Sequence, residues 1–207
     1  TINGEHYCGG IAGETYGKIN NCYFMGKITA NNNLSNSIAS DYYNNGTLEN
    51  CYYLKSCGLT TLRATGMELE QFASGEVCYL LQSGNDSIRW VQNIAEGNMP
   101  IPLADENLRV YKVTIVNGTE TSAEYTNCNY TLPIVNEGYW IDDNGENLSS
   151  NIDLTKDINI TFKSYVALLG DADGNGEVNL LDTITILRHI ANDKEITSEI
   201  LKSNCDV

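Results

Sequence analysis

A mainly β chain with one short helical calcium-loop segment at its C-terminal end is predicted by three observations. A 29-residue repeat of short runs bounded by Gly and Asn lies near the N-terminus, with Asn21-Cys22-Tyr23 answered by Asn50-Cys51-Tyr52. A second series of β-branched, alternating runs follows residue 105. From Asp171 to Asp182, oxygen-bearing side chains recur at every second position and lead into an apolar helical pattern.

Composition bounds what the chain can do. Its 207 residues suffice for two or three domains, and a hydrophobic content of 42% permits real cores. A net charge of −15 excludes nucleic acid as a partner, because phosphate recognition needs clustered Lys and Arg, and it disfavours anionic membrane surfaces. Solubility and calcium ligation account for the acidity. No apolar run approaches a membrane span, and the chain begins at Thr1 without a charged leader, so it reads as a piece of a longer secreted protein. Seven cysteines are an odd number whose spacing fits no compact disulfide framework or zinc pattern, so most read as small buried apolar side chains.

Residues 1–60 carry the repeat. Ile11-Ala12 answers Ile38-Ala39, and Gly17-Lys18-Ile19 answers Gly46-Thr47-Leu48. Units of this length cannot bury an apolar face alone and gain a core by stacking, so strand-turn-strand units predict the end of a β-solenoid. Ile11, Ile19, Cys22 and Phe24 are expected to point inward, Cys22 is expected over Cys51, and Thr1–Gly4 is expected to be the tail of a further rung. The pattern CGGIAGETYGKINNCYF resembles the GLUG motif, a Gly-rich repeat of bacterial surface proteins. The second unit is degraded, with Ser40 and Asp41 in place of Gly and Glu, as expected beside a cap.

Residues 61–104 are expected to form that cap. Met67, Leu69, Phe72, Ala73, Leu80 and Leu81 recur at helical spacing between 65 and 82, as one helix or as two broken at Gly75. Trp90 lies beside Val91 and Ile94 with no companion aromatic, which favours a buried anchor over a sugar-stacking platform.

Residues 105–165 read as strands at 109–116, 124–130, 138–141 and 158–165, with turns at Asn117-Gly118 and Asp142–Gly145. The order of strand, Leu132-Pro133, Gly138-Tyr139-Trp140, Asp143-Asn144-Gly145 and Thr155-Lys156-Asp157-Ile158 resembles the internalin B-repeat type of bacterial surface domain. That resemblance implies a small β-grasp-like spacer. Tyr139 and Trp140 are expected in its core.

Residues 166–207 hold the loop. Asp171, Asp173, Asn175, Glu177, Asn179 and Asp182 take positions 1, 3, 5, 7, 9 and 12 of a calcium-loop template, with Gly176 at the turn. Behind them Ile184, Ile186, Leu187, Ile190 and Ala191 predict a broad apolar helix face, and a second helix is expected to carry Ile196, Ile200 and Leu201. With Gly170 in front and Val178-Asn179 inside, GDADGNGEVNLLD resembles the first repeat of a type I dockerin. The resemblance implies Ca2+ as cofactor and a cohesin domain as partner, contacted through Leu180, Leu181, Leu187 and Arg188. It also implies that Asp206 opens a second loop, so that the segment is a truncated dockerin half-module.

The function expected from these features is a non-catalytic secreted protein of a bacterial surface or cellulosome-like complex. It would dock through calcium-dependent cohesin binding and present a solenoid and spacer for attachment or adhesion. The alternative is an accessory part of a dockerin-bearing carbohydrate-active enzyme or peptidase whose catalytic domain lies upstream. Within the chain the only histidines are His6 and His189, and no nucleophile–base arrangement can be assembled. Glu14 and Asp41 at equivalent places in adjacent units could form an acidic pair, though exposed turn carboxylates fit them better.

Overall fold

A computed structural model describes residues 1–31, 34–40, 46–61, 63–85 and 87–205, so Asp41 and Asp206 lie outside the described residues. Strand accounts for 32% of the described residues and helix for 18%, which makes the protein mainly β. Two compact units form, Thr1–Lys112 with Glu124–Cys128, and Val113–Ala123 with Asn129–Val207. Phe72, Val77 and Leu81 of the short helices after residue 68 bury themselves against Tyr52 and Met67 of the strands, whereas the calcium-loop segment gathers a small core of its own from Ala172, Ile196 and Leu201, closed by Ile186, Cys205 and Tyr165.

In the first unit, β1 (Ile2–Gly4), β2 (Lys18–Phe24), β3 (Ile28–Ala30), β4 (Thr47–Leu54) and β5 (Thr65–Met67) pair only in parallel, β1 with β3 and β2 with β4 and then β5. Every registered pair of β2 and β4, from Lys18 with Thr47 to Phe24 with Tyr53, is offset by the 29 residues that also separate Cys22 and Cys51. Ahead of them Ala12 bridges Ala39. The ladder skips one pair, Asn21 and Asn50, because both adopt the left-handed conformation (φ 49° and 52°) that Asn tolerates better than most residues. Their amides make a second ladder, Asn50 Nδ2 donating to Asn21 Oδ1 at 2.6 Å and to the Leu80 carbonyl at 2.9 Å.

The period-2 alternation of β4 divides its side chains between two cores. Cys51 and Tyr53 join Ile38 and Cys57, packed by Ile19, Cys22 and Phe24, while Tyr52 faces Met67, Phe72, Val77 and Leu81, packed by Tyr23 and Trp90. Ile11 departs from expectation: it is 47% exposed, and its backbone amide, donating to the Ile38 carbonyl at 2.9 Å, is what meets the next unit. The helical pattern resolves into two helices, α1 (Leu69–Ala73) and α2 (Glu76–Gln82), with Met67 left in β5. They break at Gly75, whose φ of 94° suits glycine and where a Cβ would come within 2.6 Å of the Ile94 side chain. Trp90 is half-buried with its ring 5.7 Å from that of Tyr23.

The boundary between the units falls within the hairpin of β6 (Tyr111–Asn117) and β7 (Glu120–Thr126), whose tip Val113–Ala123 belongs to the second unit. β7 begins earlier than the strand expected at 124–130. The two-residue turn at Gly118 (φ 62°) starts pairing at once, and Asn127 ends it by donating its side-chain amide to the carbonyls of Gln92, Leu108 and Arg109.

In the second unit β8 (Asn129–Thr131), β9 (Gly138–Ile141), β10 (Asn151–Asp153) and β11 (Ile158–Ser164) follow. The sheet order is β7-β6-β11-β9, with β6 and β11 parallel and β9 antiparallel, while β8 and β10 pair separately. Val113, Tyr130, Leu132, Trp140, Leu154 and Ile160 are buried. Trp140 donates its Nε1–H to the Pro133 carbonyl at 2.9 Å and meets Phe162 edge-on at 5.6 Å, and Tyr139 is half-buried beside Tyr165. Two helices close the unit, α3 (Leu180–Ile190) and α4 (Glu199–Cys205). Among the described residues no helix is long and apolar enough to cross a membrane.

Candidate metal centre

The segment 170–182 turns back on itself because its side-chain oxygens capture its own amides, as Asp and Asn do in turns. Asp171 is fully buried, and its carboxylate accepts from the amides of Gly174 (2.8 Å), Asn175 (3.1 Å) and Gly176 (2.9 Å). Asn175 Oδ1 accepts from the Glu177 amide at 2.8 Å. Gly176 at the sixth loop position has φ 86°, a conformation that costs other residues strain. The chain then enters α3 through a reciprocal cap: Asn179 Oδ1 accepts from the Leu181 amide at 2.8 Å, and Asp182 Oδ2 from the Asn179 amide at 2.7 Å.

The other oxygen of Asp182 reaches back across the loop to the amides of Ala172 (2.8 Å) and Asp173 (3.2 Å). This draws Asp171, Asp173 and Asp182 together, with one carboxylate oxygen from each lying within 4.8 Å of the others. Burial and the facing Asp182 and Asp171 carboxylates raise the Asp173 carboxyl above the ordinary range, although the Asn175 amide opposes the shift. Burial also works against the charge on Asp182, but the amides of Asn179, Asp173 and Ala172 outweigh it and hold that carboxyl below the ordinary range.

Of the six expected ligands, the three aspartates converge. Asn175 and Asn179 spend their side-chain oxygens on backbone amides, and Glu177 is exposed, which fits a position that supplies a carbonyl oxygen. An all-oxygen set dominated by carboxylates suits a hard divalent cation and not a thiophilic one. When bound, such an ion would supply charge neutralisation and nothing redox-active.

The four expected partner-contact residues lie on α3. Leu180 is 72% exposed and Leu187 58%, Leu181 is also exposed, and Arg188 pairs with Asp193 at 2.8 Å on the surface. The broad apolar face expected to pack is thus divided. Ile186 joins the core of Ala172, Ile196 and Leu201, whereas Ile184, Leu187 and Ile190 remain exposed, because the short α4 segment reaches only one flank of α3.

Three supporting residues carried no periodic signal. Asn204 is buried and donates to the carbonyls of Asp171 (3.0 Å) and Val166 (3.1 Å), while its own carbonyl accepts from Gly170 (2.7 Å). His189 Nδ1 accepts from the Ile196 amide at 3.1 Å. Glu137, just before β9, accepts from Ser198 Oγ at 2.5 Å and from the Glu199 amide at 3.1 Å, placing a carboxylate at the start of α4.

The Ser198 hydroxyl above all, then the Glu199 and Ile200 amides, outweigh partial desolvation and hold the Glu137 carboxyl below the ordinary range. A depressed value in the folded state means that this anchor contributes fully above the unfolded value of about 4.3 and is lost as pH falls through the lower folded value. Glu137→Gln is therefore expected to flatten the acid limb of the melting temperature against pH below about pH 5. Circular dichroism checks this, and an acid limb as steep as that of the unaltered chain would refute it.

Compared with family models, with curated proteins and with solved structures, the chain shows no match.

Proposed function

We propose that residues 166–207 are a calcium-dependent docking module of the type I dockerin kind, and that the partner is a cohesin domain of a scaffold protein. The stacked parallel strands and the mixed sheet are then a β-solenoid end and a β-grasp-like spacer displayed outside the cell, and the chain works by binding, without catalysis. One observation carries this reading. The loop that gathers Asp171, Asp173 and Asp182 runs directly into a helix whose Leu180, Leu181 and Leu187 are left in solvent beside Arg188.

The chemistry follows from charge. Three carboxylates this close repel one another, and a divalent cation turns the repulsion into attraction. Asp182 belongs both to the cluster and to the first turn of α3, so ordering the loop also orders the helix start. Leucines held on that helix then offer an apolar patch to a complementary surface, with Arg188 at its rim.

Isothermal titration of the full chain with calcium, then with type I cohesin domains in calcium or in chelator, tests the reading. Cohesin binding is expected in calcium and lost in chelator. Leu187→Asp is expected to weaken it roughly 30-fold, the size of a hot-spot loss of about 2 kcal/mol. Absence of calcium binding, or cohesin binding indifferent to chelator, would overturn the proposal.

A further inference from the structure

We infer that Cys22 and Cys51 are a dithiol modification site, which hydroperoxides convert to a cross-strand disulfide. Their sulfurs lie 3.5 Å apart on β2 and β4, where the two residues are registered partners, and Cys22 donates its S–H to the sulfur of Cys51. Neighbouring strands run roughly 4.8 Å apart, within the Cα separation of about 4.4 to 6.8 Å that a disulfide spans. Closure therefore asks the side chains for movement and the strands for little. The sulfurs must approach from 3.5 Å to about 2.05 Å.

The pair is also reachable and ionisable. Cys51 is buried but Cys22 is only half-buried, so a small oxidant approaches from the Cys22 side. The S–H of Cys22 lowers the Cys51 thiol to about 7 against the effect of burial, while Cys22, as the donor and partly buried, is pushed up. Of the two sulfurs, Cys51 is thus the one that more readily becomes the nucleophilic thiolate.

The reaction balances with one hydroperoxide. Ionised Cys51 attacks the O–O bond of hydrogen peroxide and becomes a sulfenic acid, and the departing hydroxide takes up the proton that Cys51 had released. The sulfur of Cys22 then attacks the sulfenic sulfur, forming the S–S bond and expelling hydroxide, which takes the Cys22 proton as water. Two thiols and one peroxide give one disulfide and two waters. The remaining core neighbour, Cys57, turns its sulfur to the Leu59 carbonyl at 3.0 Å.

The test treats the folded full chain with stoichiometric hydrogen peroxide, then measures intact mass, alkylates the remaining thiols and maps peptides. The chain is expected to lose two hydrogen atoms and two of its seven titratable thiols. A Cys22–Cys51 cross-link should appear and vanish on addition of dithiothreitol. Cys22→Ser, at the half-buried position, is expected to abolish the cross-link while circular dichroism stays unchanged. Were Cys22→Ser not to fold, the mapped cross-link in the unaltered chain would still decide. All seven thiols remaining alkylatable, a cross-link through other cysteines, or oxygen addition without a cross-link would each overturn the inference.

Discussion

Phe72→Ala is expected to destabilise the first unit by about 3–5 kcal/mol, the largest effect of any single substitution considered for that unit. Phe72 is fully buried among Tyr52, Met67, Val77 and Leu81, and its ring lies 5.5 Å from that of Tyr23. The side chain thus joins three separate pieces: the strand pair, the β5 segment and the two short helices. Five- and seven-residue helices have no stability of their own in water. Removing the ring therefore leaves a cavity and also releases α1 from the wall that orders it.

The measurement is hydrogen exchange across 65–82 together with urea denaturation. Protection of those amides should fall steeply while that of 138–164 is unchanged. Leu69→Ala, on the same helix but half exposed, is the matched control and should stay within about 0.5 kcal/mol of the unaltered chain. Equal losses from the two substitutions would mean that α1 is not held by its buried face.

The second large effect concerns Asp182→Ala. One carboxylate here accepts the amides of Ala172, Asp173 and Asn179, contributes to the aspartate cluster and caps α3. Hydrogen bonds to a charged acceptor are worth about 1.5–3 kcal/mol each but do not add fully, so a loss of about 2–4 kcal/mol is expected in the local stability of 166–205.

Calcium separates the structural from the ligand-binding part of this loss. At one hundred times the dissociation constant, a bound ion should stabilise the unaltered segment by about 2.7 kcal/mol, and the variant should show little of that gain. Thermal denaturation in calcium and in chelator, followed by exchange within 170–205, measures both. A calcium-induced shift of the same size in both proteins would show that Asp182 does not hold the ion.

Features governed by local chemistry were legible along the chain. The spacing of Asn21-Cys22-Tyr23 and Asn50-Cys51-Tyr52 is the offset of the β2–β4 register, because residues at equivalent places in stacked units meet their own kind. Gly75 and Gly176 mark backbone that few other residues tolerate. The alternate acidic positions of 171–182 gather three carboxylates because Asp side chains seize nearby amides. Helical periodicity in α3 was equally clear, yet it did not say which apolar residues would be covered. Ile186 is packed and Leu187, its neighbour, is not.

What distant segments do for one another could not be read in advance. Glu137 meets Ser198 across 61 positions, Asn204 braces Asp171 from 33 positions away, and Ile11 turns its amide rather than its side chain to the next unit. Neither Glu137 nor Asn204 belongs to a period or a motif, and the repeat that holds Ile11 does not say which way its side chain turns.

By itself, the amino-acid sequence determined the strand-rich character, the 29-residue offset and the cluster of acidic oxygens, since each depends on interactions over a few residues or on repetition. Only the tertiary structure decided the division into two units, the half-covered state of α3 and how close the sulfurs of the expected Cys22–Cys51 pair come, 3.5 Å. Burial and side-chain distance depend on which surfaces are brought together, and a linear pattern records what each surface is made of without recording what lies against it.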